Sequence, residues 1–230
     1  MRAAASHIEH LRGEVRGKVR LGCAESVATD LIPAAIAHYQ KTHPAVQFQM
    51  FSGVTAALAG TLLQDQVDLI LLHDPQPSDQ IKVLASVRQS LCAMVRPAHP
   101  LASLKALRLT DCQKYPLTLG NQSFGSRKLI DAIVASSSIQ LKVVLEGSSI
   151  QSLKEFTRQT DAVSFQFQIG TRRDVQRGEL VAVPLVDRSL AQTRLTLAVR
   201  AGRMLPIASQ SFASLLEQTL SQLAVIDTSH

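Results

Sequence analysis

Between Gly17 and Leu72 the chain alternates strand-like and helix-like patterns with almost no punctuation, and that alternation limits the fold more than any other feature. Gly17-Lys18-Val19-Arg20-Leu21-Gly22 is a short apolar run bounded by glycines. A periodic segment from Leu31 to Tyr39 follows, then a run from Val46 to Phe51, a second periodic segment from Leu58 to Leu63, and a run from Val67 to Leu72. Strands alternating with helices require right-handed crossovers and a parallel sheet. In such sheets ligands gather where strand ends meet helix starts, so the pattern alone predicts a small-molecule site.

Composition narrows the classes. An apolar fraction of 46% over 230 residues predicts a globular chain with a well-buried core, as one large domain or two smaller ones. No apolar run reaches the ~18 residues that cross a bilayer. Met1 to Glu14 is charged and alanine-rich, without a signal core or cleavage site, so the expected location is the cytoplasm. Cys23, Cys92 and Cys112 are widely spaced and form no CxxC pair. That predicts small buried hydrophobes rather than a disulfide or metal framework, with a redox role for Cys112 left open. The net charge of +6 has basic clusters only at Arg12 to Arg20 and at Arg172, Arg173 and Arg177. It reads as a solvated surface with a weak bias toward anionic ligands.

In the Leu31 to Tyr39 segment Leu31, Ala35 and Tyr39 stand at i, i+4, i+8 beside Ile32 and Ile36, the apolar stripe of a helix. Pro33 must lie in its first turn, and His43-Pro44 ends it. A second helix begins after Gly53, and Val67 to Leu72 is a buried strand with His73-Asp74-Pro75 as its exit loop. Ile81 to Val87 and Leu91 to Val95 read as strands joined by a polar turn, Arg88-Gln89-Ser90, and the chain is expected to cross into a second lobe at Pro97 to Leu101. That lobe repeats the theme with strands at Pro116 to Leu119, Leu141 to Leu145, Ala162 to Phe167 and Val181 to Val186. One helix there carries Leu129, Ile130, Ile133 and Val134, and another opens at Gly147-Ser148-Ser149. Thr193 to Val199 alternates Leu195, Leu197 and Val199 and returns the chain to the first lobe, which a helix from Ile207 to Leu223 closes. The expected fold class is α/β: two Rossmann-like lobes joined by two crossover strands, residues 15–96 plus 194–230 forming the first and 97–193 the second, with a cleft between them.

Several fragments in this order carry a family likeness: Gly17 to Gly22, Leu31-Ile32-Pro33, His43-Pro44-Ala45-Val46, Gly53, Val67-Asp68-Leu69, His99-Pro100-Leu101 and Gly178 to Leu185. Together they resemble the effector-binding domain of LysR-type transcriptional regulators, from about Ala3 to Leu216. The resemblance implies the type 2 periplasmic-binding-protein fold and makes residues 1–14 the end of a linker helix. Nothing resembles the family's N-terminal winged helix-turn-helix, so DNA contact is expected only through such a domain absent from this chain. The resemblance also implies a homodimer, tetrameric at full length, formed through the first long helix and the adjacent sheet edge, with Ile32, Ile36, Tyr39, Gln47 and Gln49 as contacts or as core of their own subunit. One departure lies at Thr160-Asp161-Ala162 and Phe165-Gln166-Phe167, where family members often carry a glycine-rich turn and an apolar strand ending in proline. It implies a bulkier, more polar cleft wall.

Four loops should face the cleft: Cys23 to Ala28, Ser52 to Thr55, Asn121 to Ser126 and Gly147 to Ser149. Each ends at a helix start, where free amides and the helix dipole attract anions, and where Ser, Thr or Asn equally serve as caps. The expected effector-binding residues are Ser26, Val27, Gly53, Val54, His73, Gln122, Ser123, Phe124, Ser148, Phe165 and Gln166. Phe124 and Phe165 fit an apolar wall or ordinary core, and His73 a donor or a structural histidine. Glu25 opposes a purely anionic ligand.

No catalytic motif is assembled. Gly120 to Gly125 misses the spacing of a nucleophile elbow, there is no HExxH, Walker loop or GxGxxG, and His38 and His43 are five apart, so neither a metal nor a cofactor is expected. The leading reading is therefore a non-enzymatic ligand sensor that binds a small metabolite, an anionic organic acid being the expected class, and controls DNA binding and transcription. The alternatives are a transporter's solute-binding protein, which needs a signal peptide or lipid anchor, and an enzyme of the same fold, which needs a catalytic Thr or Cys cluster.

Overall fold

The computed structural model describes residues 15–227; the expected linker-helix remnant at 1–14 lies outside them. The chain divides into two compact units, one comprising residues up to Val87 together with those from Arg194 onward, the other Arg88–Thr193.

The first unit is built on a five-stranded sheet ordered β2-β1-β3-β10-β4, with β1 at Gly17–Ala24, β2 at Val46–Gly53, β3 at Leu69–His73, β4 at Ile81–Gln89 and β10 at Thr193–Arg200. β1 runs parallel to both β2 and β3, and β10 antiparallel to β3. Helices α1 (Glu25–Ala28), α2 (Leu31–Gln40) and α3 (Thr55–Leu63) make the connections, and α8 (Ile207–Asp227) closes the unit. Pro33 sits in the first turn of α2, where its missing amide costs nothing. Gly22 lets α3 approach the sheet: a Cβ there would lie 3.2 Å from Leu58 and 3.3 Å from Ile70. Leu58, Leu62, Val67, Ile70, Leu72 and Ala198 form one core cluster. Phe212 of α8 packs edge-on against Tyr39 and Phe48 at ring distances of 5.3 and 4.8 Å. The Val67-Asp68-Leu69 fragment is a structural clamp. The buried Asp68 carboxylate accepts from the Arg20 amide (3.1 Å), the Arg20 guanidinium (2.6 Å), Arg203 (3.1 Å) and Ser209 (3.1 Å), so β1, β3 and α8 meet on one compensated charge.

The second unit carries β5 (Leu91–Val95), β6 (Leu117–Gly120), β7 (Val143–Gly147), β8 (Ser164–Phe167) and β9 (Val181–Pro184). β5 lies between β8 and β9, antiparallel to both; β6 pairs with β7 in parallel and forms an isolated bridge from Leu117 to Val163, the residue just before β8. Its helices are α4 (Leu109–Cys112), α5 (Gly125–Ala135), α6 (Ile150–Gln159) and α7 (Arg172–Gln176). His99 caps the short 3-10 turn Pro100–Ser103, its Nδ1 accepting the Leu101 amide at 3.1 Å, which gives the His99-Pro100-Leu101 fragment a structural role. Lys154, 3% exposed, donates to the Gly170 carbonyl at 2.6 Å and to Asp174 at 2.7 Å, while Arg158 pairs with the other oxygen of Asp174. This buried pair ties α6 to α7.

One expectation fails at the join. Arg88-Gln89-Ser90 is not a turn between paired strands: β4 runs on through Gln89, and β5, in a different sheet, belongs to the second unit, which begins at Arg88 and not at Pro97. Only Ser90 separates the two strands, too little to reverse the chain, and Gln89 is fixed by its side-chain oxygen on the Ile169 amide (2.8 Å) and by Thr193 donating to its carbonyl.

Candidate functional site

In the first unit the expected residues converge at the carboxyl ends of β1, β2 and β3. The parallel register sets Cys23 beside Ser52 and Ala24 beside Gly53, and Leu71 beside Cys23 puts His73 at the same edge. There Ser26 Oγ meets His73 Nε2 at 2.8 Å, with both residues buried. Thr55, in the first turn of α3, donates its hydroxyl to the His73 carbonyl at 3.3 Å. Burial pushes the His73 imidazole down to about 3. It is therefore neutral near pH 7, a hydrogen-bonding group and not a cation. Val27 is wholly buried, Val54 precedes α3 in extended conformation, and Gly53 is exposed.

The capping alternative separates the four loops. Ala24, Val54 and Phe124 stand at the caps of α1, α3 and α5 and give no side-chain bond, whereas Ser149 caps α6 by accepting the Ser152 amide at 3.3 Å. The N-cap side chains of α1, α3 and α5 thus leave the first turns to other partners.

In the second unit Gly120 is in register with Gly147, and the Asn121 amide donates to the Gly147 carbonyl at 2.9 Å, which brings the Gln122–Phe124 turn beside Ser148. Asn121 holds that turn by accepting the Ser123 amide (3.1 Å) and hydroxyl. Gly120 is required here, since a Cβ would fall 2.9 Å from the Phe124 ring. Phe165 is 5% exposed and Gln166 4% exposed, both within β8. Arg127, the cation nearest this turn in sequence, is spent on Asp131 (2.8 Å) and Glu146 (2.7 Å).

The subunit-contact expectations divide. Ile32 and Tyr39 are buried core of the first unit, Tyr39 held among His43, Phe48 and Phe212, and they do not face outward. Ile36 is half-buried, and Gln47 and Gln49 are exposed on β2, the open edge of the sheet. The Ser26–His73 bond was beyond sequence reasoning because 47 positions separate the partners. The three cysteines are buried and form no disulfide among the described residues, and burial raises the thiols of Cys23 and Cys112 to about 12.

The family model of the LysR substrate binding domain matches residues 12–221. The chain belongs to this family. Among curated relatives, the transcriptional regulator BbuR of Bordetella bronchiseptica is 24% identical over 84% of this chain and 59% of its own length. A probable RuBisCO transcriptional regulator of Nostoc is 24% identical over 96% of this chain and 66% of its own length. The chain thus spans about three-fifths to two-thirds of these relatives, which are regulators and not transporters. Among solved structures, the QuiR effector-binding domain in complex with shikimate superposes with a TM-score of 0.72 at 20% identity, covering 90% of this chain and 98% of that one. The Synechocystis CcmR regulatory domain in complex with 2-PG gives 0.77 at 18% identity, covering 89% and 98%. The fold is therefore the periplasmic-binding-protein-like architecture of LysR effector-binding domains. Among the described residues no helix is long and apolar enough to cross a membrane.

Proposed function

We propose that this LysR-type domain senses a small hydroxylated organic acid, and that binding controls DNA contact by a helix-turn-helix domain joined to it in the full-length regulator. The observation that carries the reading is the buried Ser26–His73 pair beside helix starts without side-chain caps. The loops at 23–28, 52–55 and 73–74 contain Glu25 and Asp74 and no Lys or Arg. Hydroxyl groups of the ligand pair with Ser26 and His73, and its carboxylate is held by helix-start amides. Neighbouring structures that hold shikimate, a hydroxylated acid, and 2-PG, an organic acid, support the organic-acid class, and shikimate its hydroxylated form.

Catalysis is not part of the reading. A Ser–His pair at 2.8 Å has the geometry of an activated nucleophile, but an imidazole at about 3 is too weak a base to activate a serine at neutral pH. The same proposal assigns dimer formation to the open β2 edge, through Gln47, Gln49 and the half-buried Ile36. A thermal-shift screen over hydroxy acids, amino acids and inorganic anions tests the ligand class. A ligand at ~100 times its dissociation constant adds about 2.7 kcal/mol of stability. A hit confined to amino acids or inorganic anions overturns the assigned class.

A further inference from the structure

A left-handed residue closes the strand that carries His73. Among the described residues only Asp65 and Asp74 have a positive φ without being glycine, at 58° and 41°. Asp65 follows the C-cap of α3, where a left-handed residue is an ordinary way to end a helix. Asp74 ends no helix; it directly follows β3, and such a conformation persists only where its surroundings hold it. The holding contacts are visible. The register sets Leu195 against His73, so Asp74 falls opposite Arg194. The Asp74 amide donates to the Arg194 carbonyl at 2.9 Å, and the Arg194 amide donates back to Asp74 Oδ1 at 2.8 Å. The carboxylate thus takes the part that a main-chain carbonyl plays in a regular antiparallel rung.

Arg194 carries the contact on to β4. Its Nε donates to Ser86 Oγ at 2.8 Å and its Nη2 to the Ser86 carbonyl at 3.1 Å, and Ser86 Oγ lies 3.1 Å from Thr196 Oγ1. These residues stand where the chain changes unit, after Val87 and before Arg194. Just past the same two junctions Thr193 donates to the Gln89 carbonyl, so the pair of crossing segments is tied on both sides of the change.

We infer that Asp74 is a positioning residue that couples the Ser26–His73 edge to both segments on which the chain crosses between its units. A change at the His73 ring passes through the adjoining main chain to the Asp74–Arg194 rung, and through the Arg194 guanidinium to Ser86. This coupling rests on the effector reading above for its purpose, since a sensor must make occupancy felt beyond the residues that bind.

A double-mutant cycle on the full 230-residue chain tests it without a ligand, read by nuclear magnetic resonance at the Arg194 amide, the Arg194 Nε–H and the Ser86 amide. Ser26→Ala, which takes the hydroxyl from His73 Nε2, should shift all three resonances. The shifts should be lost when Ser26→Ala is combined with Asp74→Gly, which permits the left-handed backbone but removes the acceptor. They should survive with Asp74→Asn, which keeps an acceptor oxygen and tolerates the same φ. Arg194→Gln, which spares the rung, should leave the shift at its own amide and abolish the one at Ser86. Unmoved Arg194 and Ser86 resonances in Ser26→Ala, equal shifts with and without the Asp74 carboxylate, or Asp74→Asn behaving as Asp74→Gly would each overturn the coupling. Failure of the parent chain to bind shikimate would count against the effector reading alone, because no step of the cycle uses a ligand.

Discussion

At the scale of single residues, His73 decides the chemistry of the first unit. Folding removes its imidazole from water and drops its proton affinity from an ordinary value of 6.5 to about 3, so between those values the unfolded chain binds a proton that the folded chain refuses. The resulting stability is fully present above pH 6.5 and is lost as the pH falls toward 3. The urea midpoint should therefore drop between pH 7.5 and pH 4.5, and His73→Gln should flatten that drop; an equal decline in both proteins contradicts the assignment. The cysteines make a second residue-scale prediction. Thiols at about 12 and buried are poor nucleophiles, so Cys23 and Cys112 should react with a disulfide reagent only at the rate of unfolding, and fast labelling in the folded protein would restore a redox role for Cys112. Sequence alone named Ser26 and His73 but not their bond. It also offered Ile32 and Tyr39 both as core and as dimer contacts, because an apolar stripe looks the same in either case. Phe48 and Phe212, remote in sequence, decide for the core at Tyr39, and complete burial does so at Ile32.

At the scale of elements, what is legible follows the length of the apolar pattern. The helices α2, α5 and α8 carry stripes over ten or more residues and fall where periodicity puts them. The short helices α4 and α7 have no such stripe, and Arg172 and Arg173 read only as part of a basic surface cluster until Lys154 and Arg158 are seen to grip Asp174 from α6. The triplet 88–90 misleads for the opposite reason. Polar residues usually mark a turn, but here Gln89 is buried and bonded in an extended chain. The α6–α7 tie yields a prediction. Lys154→Met leaves Asp174 and the Gly170 carbonyl without their buried donor, and should cost about 3 kcal/mol in chemical denaturation, at the low end for a broken buried pair because Asp174 keeps Arg158. A loss below about 1 kcal/mol would show that the pair contributes little.

At the scale of the whole molecule, the two units differ in charge and in surface. All of the positive excess lies on the second unit, while the first presents an open sheet edge whose Met50 and Phe51 are each 40% exposed. If subunits join along β2, Phe51→Lys should shift the chain from dimer to monomer in sedimentation velocity while leaving its circular dichroism unchanged. An unchanged dimer places the interface elsewhere. The central claim remains ligand sensing through Ser26 and His73, and its most direct test is calorimetric titration of the wild-type chain and Ser26→Ala with shikimate and glycerate. Saturable binding by at least one of these hydroxylated acids, weakened in Ser26→Ala by about 1–3 kcal/mol, is the predicted result. No binding by the wild type, or equal affinity in the variant, would contradict it.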